Sequence, residues 1–73
     1  MGKDRSPLKT FGQAVRRLRL KTGLTQEELA ERAGFDRTYL SMVELGKRNP
    51  ALLNICRLAK ALDTKPADLV GDL

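Results

Sequence analysis

The side chains in this sequence best equipped for chemistry are cations, and they crowd one end. Lys3, Arg5, Lys9, Arg16, Arg17, Arg19 and Lys21 lie within the first 26 residues, against one acid there, Asp4. The rest of the 73-residue chain is close to neutral, and the net charge is +5. A cationic end on a near-neutral remainder suits a polyanion such as nucleic acid. By charge alone a solvated basic face would look the same. Other chemistries lack their parts. There is no histidine for general acid–base work, and the single cysteine, Cys56, rules out a disulfide within the chain and a Cys/His zinc site. No paired carboxylates surround a plausible pocket, and no acidic cluster resembles a metal site. The sequence therefore predicts no enzyme, no metal, no cofactor and no small-molecule effector. One cysteine fits a reducing compartment. No run approaches the roughly 20 apolar residues of a membrane span. A cytoplasmic protein that avoids the membrane is expected.

These side chains need elements to carry them. Residues 1–8 should form a flexible N-terminal arm, and residues 9–73 one small domain. Phe11, Val15 and Leu18 recur at helical spacing with Ala14 beside them, so a first helix buries that face and turns Arg16, Arg17 and Lys21 away. Gly23 ends it. Thr25 and Glu28 have the spacing of a capping box for a second helix, with Leu29, Ala30 and Ala33 inside and Gly34 as its stop. Asp36 stands where a cap should be for a third helix to about Leu45, with Leu40 and Val43 inward and Gly46 closing it. Asn49 and Pro50 are expected as cap and first residue of a fourth helix, with Leu52, Ile55, Leu58, Ala59 and Leu62 as its buried stripe. Pro66 opens a short fifth helix holding Leu69 and Val70. No segment alternates as a strand would, so the fold class is all-α.

The second and third helices, joined by Gly34-Phe35-Asp36, make a helix-turn-helix. Ala30 and Ala33 keep the first of the pair slim, so the other can cross it closely. Gly34 supplies the turn's backbone angle, and Phe35 plugs the gap beneath. The third helix then stands proud, able to enter a groove about 12 Å wide. The run Leu24-Thr25-Gln26-Glu27-Glu28-Leu29-Ala30, followed by Ala33-Gly34, Tyr39-Leu40-Ser41, Glu44-Leu45-Gly46-Lys47, Pro50 and Leu58-Ala59-Lys60-Ala61-Leu62, closely resembles the lambda-repressor/Cro-like helix-turn-helix family. The segment from Asp36 to Pro50 looks most like the controller proteins of restriction–modification systems, which are dimeric domains of about this length.

That resemblance implies a compact five-helix, lambda-repressor-like DNA-binding domain and a role for each matching residue. Arg37, Thr38, Ser41 and Met42 would face base edges from the recognition helix. Arg37 suits the O6 and N7 of guanine, whereas Met42, where relatives often carry Gln or Lys, offers apolar contact only. Gln26 would meet a phosphate at the start of the second helix. Tyr39, Lys47, Arg48 and Asn49 would follow the DNA backbone, with helix capping a competing role for Asn49. Arg19 and Glu44 match a pair that links the first and third helices. Here it would orient the recognition helix and leave Arg19 near a phosphate, as a surface pair contributing at most about 1 kcal/mol.

A homodimer is also expected. Leu45 and Leu53 replace residues that are usually polar in the family, and Cys56, Leu69, Val70 and Leu73 add apolar surface. Contact through the fourth and fifth helices would set two recognition helices about 34 Å apart, one turn of DNA. Leu53 and Cys56 could equally be core residues of a wide stripe. The sequence thus predicts a sequence-specific transcription regulator binding double-stranded DNA, dimeric on an inverted repeat and akin to a restriction–modification controller. The alternative is an antitoxin that binds its own operator and a toxin protein, which would usually need extra length for the toxin-binding arm.

Overall fold

The computed structural model describes residues 6–73. In chain order its helices are α1 (Pro7–Lys21), α2 (Gln26–Ala33), α3 (Arg37–Glu44), α4 (Leu52–Ala61) and α5 (Pro66–Val70), with no strand among the described residues. Phe11 and Val15 of α1, Leu29 of α2, Leu40 and Val43 of α3, Leu58 and Leu62 at α4, and Leu69 of α5 share one apolar core.

Local chemistry sets most boundaries. Helix α1 starts earlier than expected. Ser6 is its cap, with its hydroxyl oxygen accepting from the Lys9 N–H at 3.4 Å, and Pro7 takes the first helical position. Pro7 and Leu8 therefore belong to the helix rather than to an arm, while residues 1–5 of the expected arm lie outside the described residues. The helix ends at Thr22, with Gly23 at φ +77° and the Leu24 N–H reaching back to the Arg19 carbonyl at 3.1 Å. Both halves of the capping box on α2 form: Thr25 Oγ1 accepts from the Glu28 N–H at 3.1 Å, and Glu28 accepts from the Thr25 N–H at 2.8 Å. The bond from the Thr25 N–H, and after it the Thr25 side chain, hold the Glu28 carboxyl below its ordinary range.

Helix α4 corrects two expectations. It begins at Leu52 with Ala51 as its unassisted cap, so Asn49 and Pro50 lie in the preceding loop. Pro50 is buried there and Asn49 is exposed. Leu52, expected in the buried stripe, is 72% exposed because it sits on the first turn, outside the core. The stripe that remains runs from half-buried Ile55 through Leu58 and Ala59 to Leu62. At α5, Asp68 accepts from the Thr64 hydroxyl and from the Lys65 N–H, and these two bonds, the hydroxyl's first, lower its carboxyl pKa.

A residue absent from the sequence-based core matters for the crossing of α1 over α3. Gly12 is buried, and a Cβ placed on it would collide with the backbone carbonyl oxygens of Val43 and Glu44. The two helices meet at backbone distance there, which only glycine allows.

Candidate nucleic-acid interface

Helix α3 divides into two faces. Leu40 and Val43 are fully buried, whereas Arg37 and Thr38 are exposed and Ser41 and Met42 half-exposed one turn on. Asp36 caps it, with Oδ2 accepting from the Thr38 N–H at 3.0 Å. The four expected base-reading side chains thus come together on the first two turns of one helix. The turn that presents them has Gly34 at φ +79° and is closed by a bond from the Phe35 N–H to the Ala30 carbonyl at 2.8 Å.

Beneath this helix lies a buried ionic cluster. Arg19 Nε donates to Glu44 Oε2 at 2.7 Å and its Nη2 to Oε1 at 3.0 Å, while Nη1 donates to the Leu24 carbonyl at 3.0 Å. The two side chains are only 10% and 3% exposed, so the expected surface pair is in fact a buried one. A guanidinium that gives three N–H groups to the protein interior has little surface left for a phosphate, and Arg19 is an architectural residue. Gln26 joins the cluster by donating from Nε2 to Glu44 Oε1 at 3.0 Å. Its amide keeps a second N–H, and it remains half-exposed at the first position of α2, where helix amides favour an anion.

Tyr39 is also braced. Phe35 meets its ring edge-on at 5.1 Å between centroids, the Arg48 guanidinium lies 5.0 Å from the ring centroid, and Asn54 of α4 donates to the phenol oxygen at 3.2 Å. Sequence reasoning missed Asn54. Its sole signal was a polar residue between Leu53 and Ile55 on an otherwise apolar helix start. Lys47, Arg48 and Asn49 are exposed in the loop after α3, whose turn is fixed by Gly46 at φ +77° and by the Lys47 N–H on the Met42 carbonyl at 2.8 Å.

This is a capped, outward-facing helix crossed by a slim partner and flanked by basic loop residues. Residues 15–69 match the family model described as helix-turn-helix. The chain belongs to the lambda-repressor/Cro-like helix-turn-helix family. Among relatives of this helix-turn-helix protein, the control protein C.BamHI of Bacillus amyloliquefaciens is 48% identical over 61 residues, which are 82% of this chain and 75% of that one. The restriction-modification controller protein C.AhdI from Aeromonas hydrophila has a solved structure 49% identical in sequence, with a TM-score of 0.87 over 89% of this chain and 98% of that one. Another such controller, C.Esp1396I, solved as a tetramer with its natural 35 base-pair operator, is 31% identical, with a TM-score of 0.79 over 85% of this chain and 82% of that one.

The helix-turn-helix domain also carries apolar surface. Leu45 (56%), Leu53 (73%) and Leu73 (62%) are exposed, Val70 is at 36%, and Cys56 is exposed three residues after Leu53 on α4. Leu53 and Cys56 are therefore surface residues, not core. Leu69, expected at a dimer interface, is 1% exposed and belongs to the core, because α5 turns that side chain inward and Val70 outward. Among the described residues no helix is long and apolar enough to cross a membrane.

Proposed function

We propose that this protein is a sequence-specific transcription regulator that reads duplex DNA with α3, as a symmetric dimer on an inverted repeat, and serves as the controller of a restriction–modification system. The observation that carries the reading is the outer face of α3. Arg37 and Thr38 leave its capped first turn into solvent, and the relatives named above are control proteins. Arg37 takes a guanine edge, Thr38 and Ser41 donate or accept at neighbouring bases, and Met42 supplies apolar contact, for example to a thymine methyl. Gln26, Tyr39, Lys47, Arg48 and Asn49 hold the backbone and set the register. Leu53, Cys56 and Val70, together with Leu45 and Leu73, form the contact between subunits. No catalytic step belongs to the protein, and it acts in the cytoplasm at the nucleoid.

The test is selection of the purified protein on random duplex DNA near physiological salt, followed by sequencing. An enriched inverted repeat with half-sites about one helical turn apart is the expected result, with affinity falling steeply as salt rises. Weak, salt-sensitive binding with no enriched sequence would overturn the proposal.

A further inference from the structure

Three separated parts of the chain converge on the Tyr39 ring, namely Phe35 in the α2–α3 turn, Arg48 in the α3–α4 loop and Asn54 on α4. The Asn54 contact is directional. Its Nδ2 lies 3.2 Å from the phenol oxygen, and an amide nitrogen can only donate. A phenol has one proton to give and lone pairs to receive with. Once a lone pair takes the Asn54 N–H, the Tyr39 proton stays available for another acceptor. Phosphate oxygens along a duplex are acceptors only, and O–H bonds to charged oxygens are short and strong. The Arg48 guanidinium, 5.0 Å from the ring centroid, adds positive charge next to Tyr39.

We propose that Asn54 is a positioning residue for DNA binding, holding the Tyr39 hydroxyl as a hydrogen-bond donor to a phosphate oxygen of the duplex. The proposal rests on α3 being the DNA-contacting helix. Asn54 acts through Tyr39 and touches no DNA itself. It also fastens α4 to α3, so the helix bearing Leu53 and Cys56 is joined by a polar contact to the helix bearing Arg37.

The probe is the duplex recovered by random-sequence selection, titrated with wild type, Asn54→Ala, Tyr39→Phe and the double variant. Each single change should weaken binding about three- to tenfold, the range of one net hydrogen bond. The double variant should bind no more weakly than Tyr39→Phe, since Asn54 has nothing left to position. The loss should be equal across the selected sequences, and a loss confined to one base step would overturn the phosphate assignment. In the free protein, the Asn54 side-chain amide signals in a proton–nitrogen NMR spectrum should move on Tyr39→Phe, a change that removes one oxygen and keeps the ring. This arm stands even where Asn54→Ala does not fold. Unmoved signals, or strictly additive losses, would overturn the positioning role. A wild type that enriches no sequence brings down the functional reading itself. A wild type that binds while Asn54→Ala binds equally well brings down this proposal alone.

Discussion

Arg37 leaves the domain at the first turn of α3, exposed and next to the capping carboxylate of Asp36. Truncating it should not disturb the fold. Arg37→Ala is expected to weaken binding to the selected duplex by about 1–3 kcal/mol and to relax preference at one base position. Repeating the selection with the variant checks both, and an unchanged base preference would refute base contact by Arg37. The buried Arg19–Glu44 pair behaves differently. Removing Glu44 strands a guanidinium in the interior, so Glu44→Ala should destabilise the domain by about 3–5 kcal/mol, well above the value for a surface pair. Urea unfolding measures it, and a loss under 1 kcal/mol would show that the pair is solvated after all. The sequence made the partnership legible through family resemblance but not its burial. Two residues 25 positions apart carry no periodic sign of what covers them. The Gln26 bond to Glu44 was hidden for the same reason.

At the scale of the helices, the capping signals of α2 and α3 were legible because each depends on groups within three residues of one another. The Thr25–Glu28 box and the Asp36 cap formed as expected, whereas Asn49, also expected as a cap, lies in the loop before α4. The Thr25 amide holds the Glu28 carboxyl low, so Glu28 is easier to ionise folded than unfolded. The resulting stabilisation is complete at neutral pH, above the unfolded value, and is lost as pH falls through the lowered folded value. NMR titration of the Glu28 carboxyl should give a lower midpoint than in an unfolded peptide of the same sequence, and Thr25→Ala should raise it. Legibility failed where two leucines have equal claims. Leu52 and Leu69 both fall at helical spacing, yet one sits on an exposed first turn and the other in the core. Gly12 failed differently, since a glycine within a helical pattern has no local sign of a crossing. Helix propensity favours Ala there by about 1 kcal/mol. The collision with the Val43 and Glu44 backbone opposes it and involves atoms that cannot swing aside. Gly12→Ala should therefore lower stability by roughly 1–3 kcal/mol. A higher melting temperature would mean that α1 and α3 slide apart freely.

For the molecule as a whole, the proposed dimer turns on the exposed apolar surface. A domain whose Cα extents are 37 × 23 × 23 Å has little area to spare for exposed leucines at Leu45, Leu53 and Leu73. Sedimentation should show a dimer at micromolar concentration. Leu53→Arg should shift it to monomer while leaving the circular dichroism of the folded state intact, because the side chain is 73% exposed. Binding to an inverted repeat should weaken at least about tenfold once two half-sites no longer act together. A wild type that stays monomeric at high concentration, with and without DNA, would remove the dimer from the proposed function.

The crossing of Phe35, Arg48 and Asn54 on one phenol has an optical consequence. Tyr39 is the one tyrosine in the sequence, and there is no tryptophan. The intrinsic ultraviolet emission of the protein therefore arises almost entirely from a single ring on α3, and changes in that light report on this helix without any attached dye.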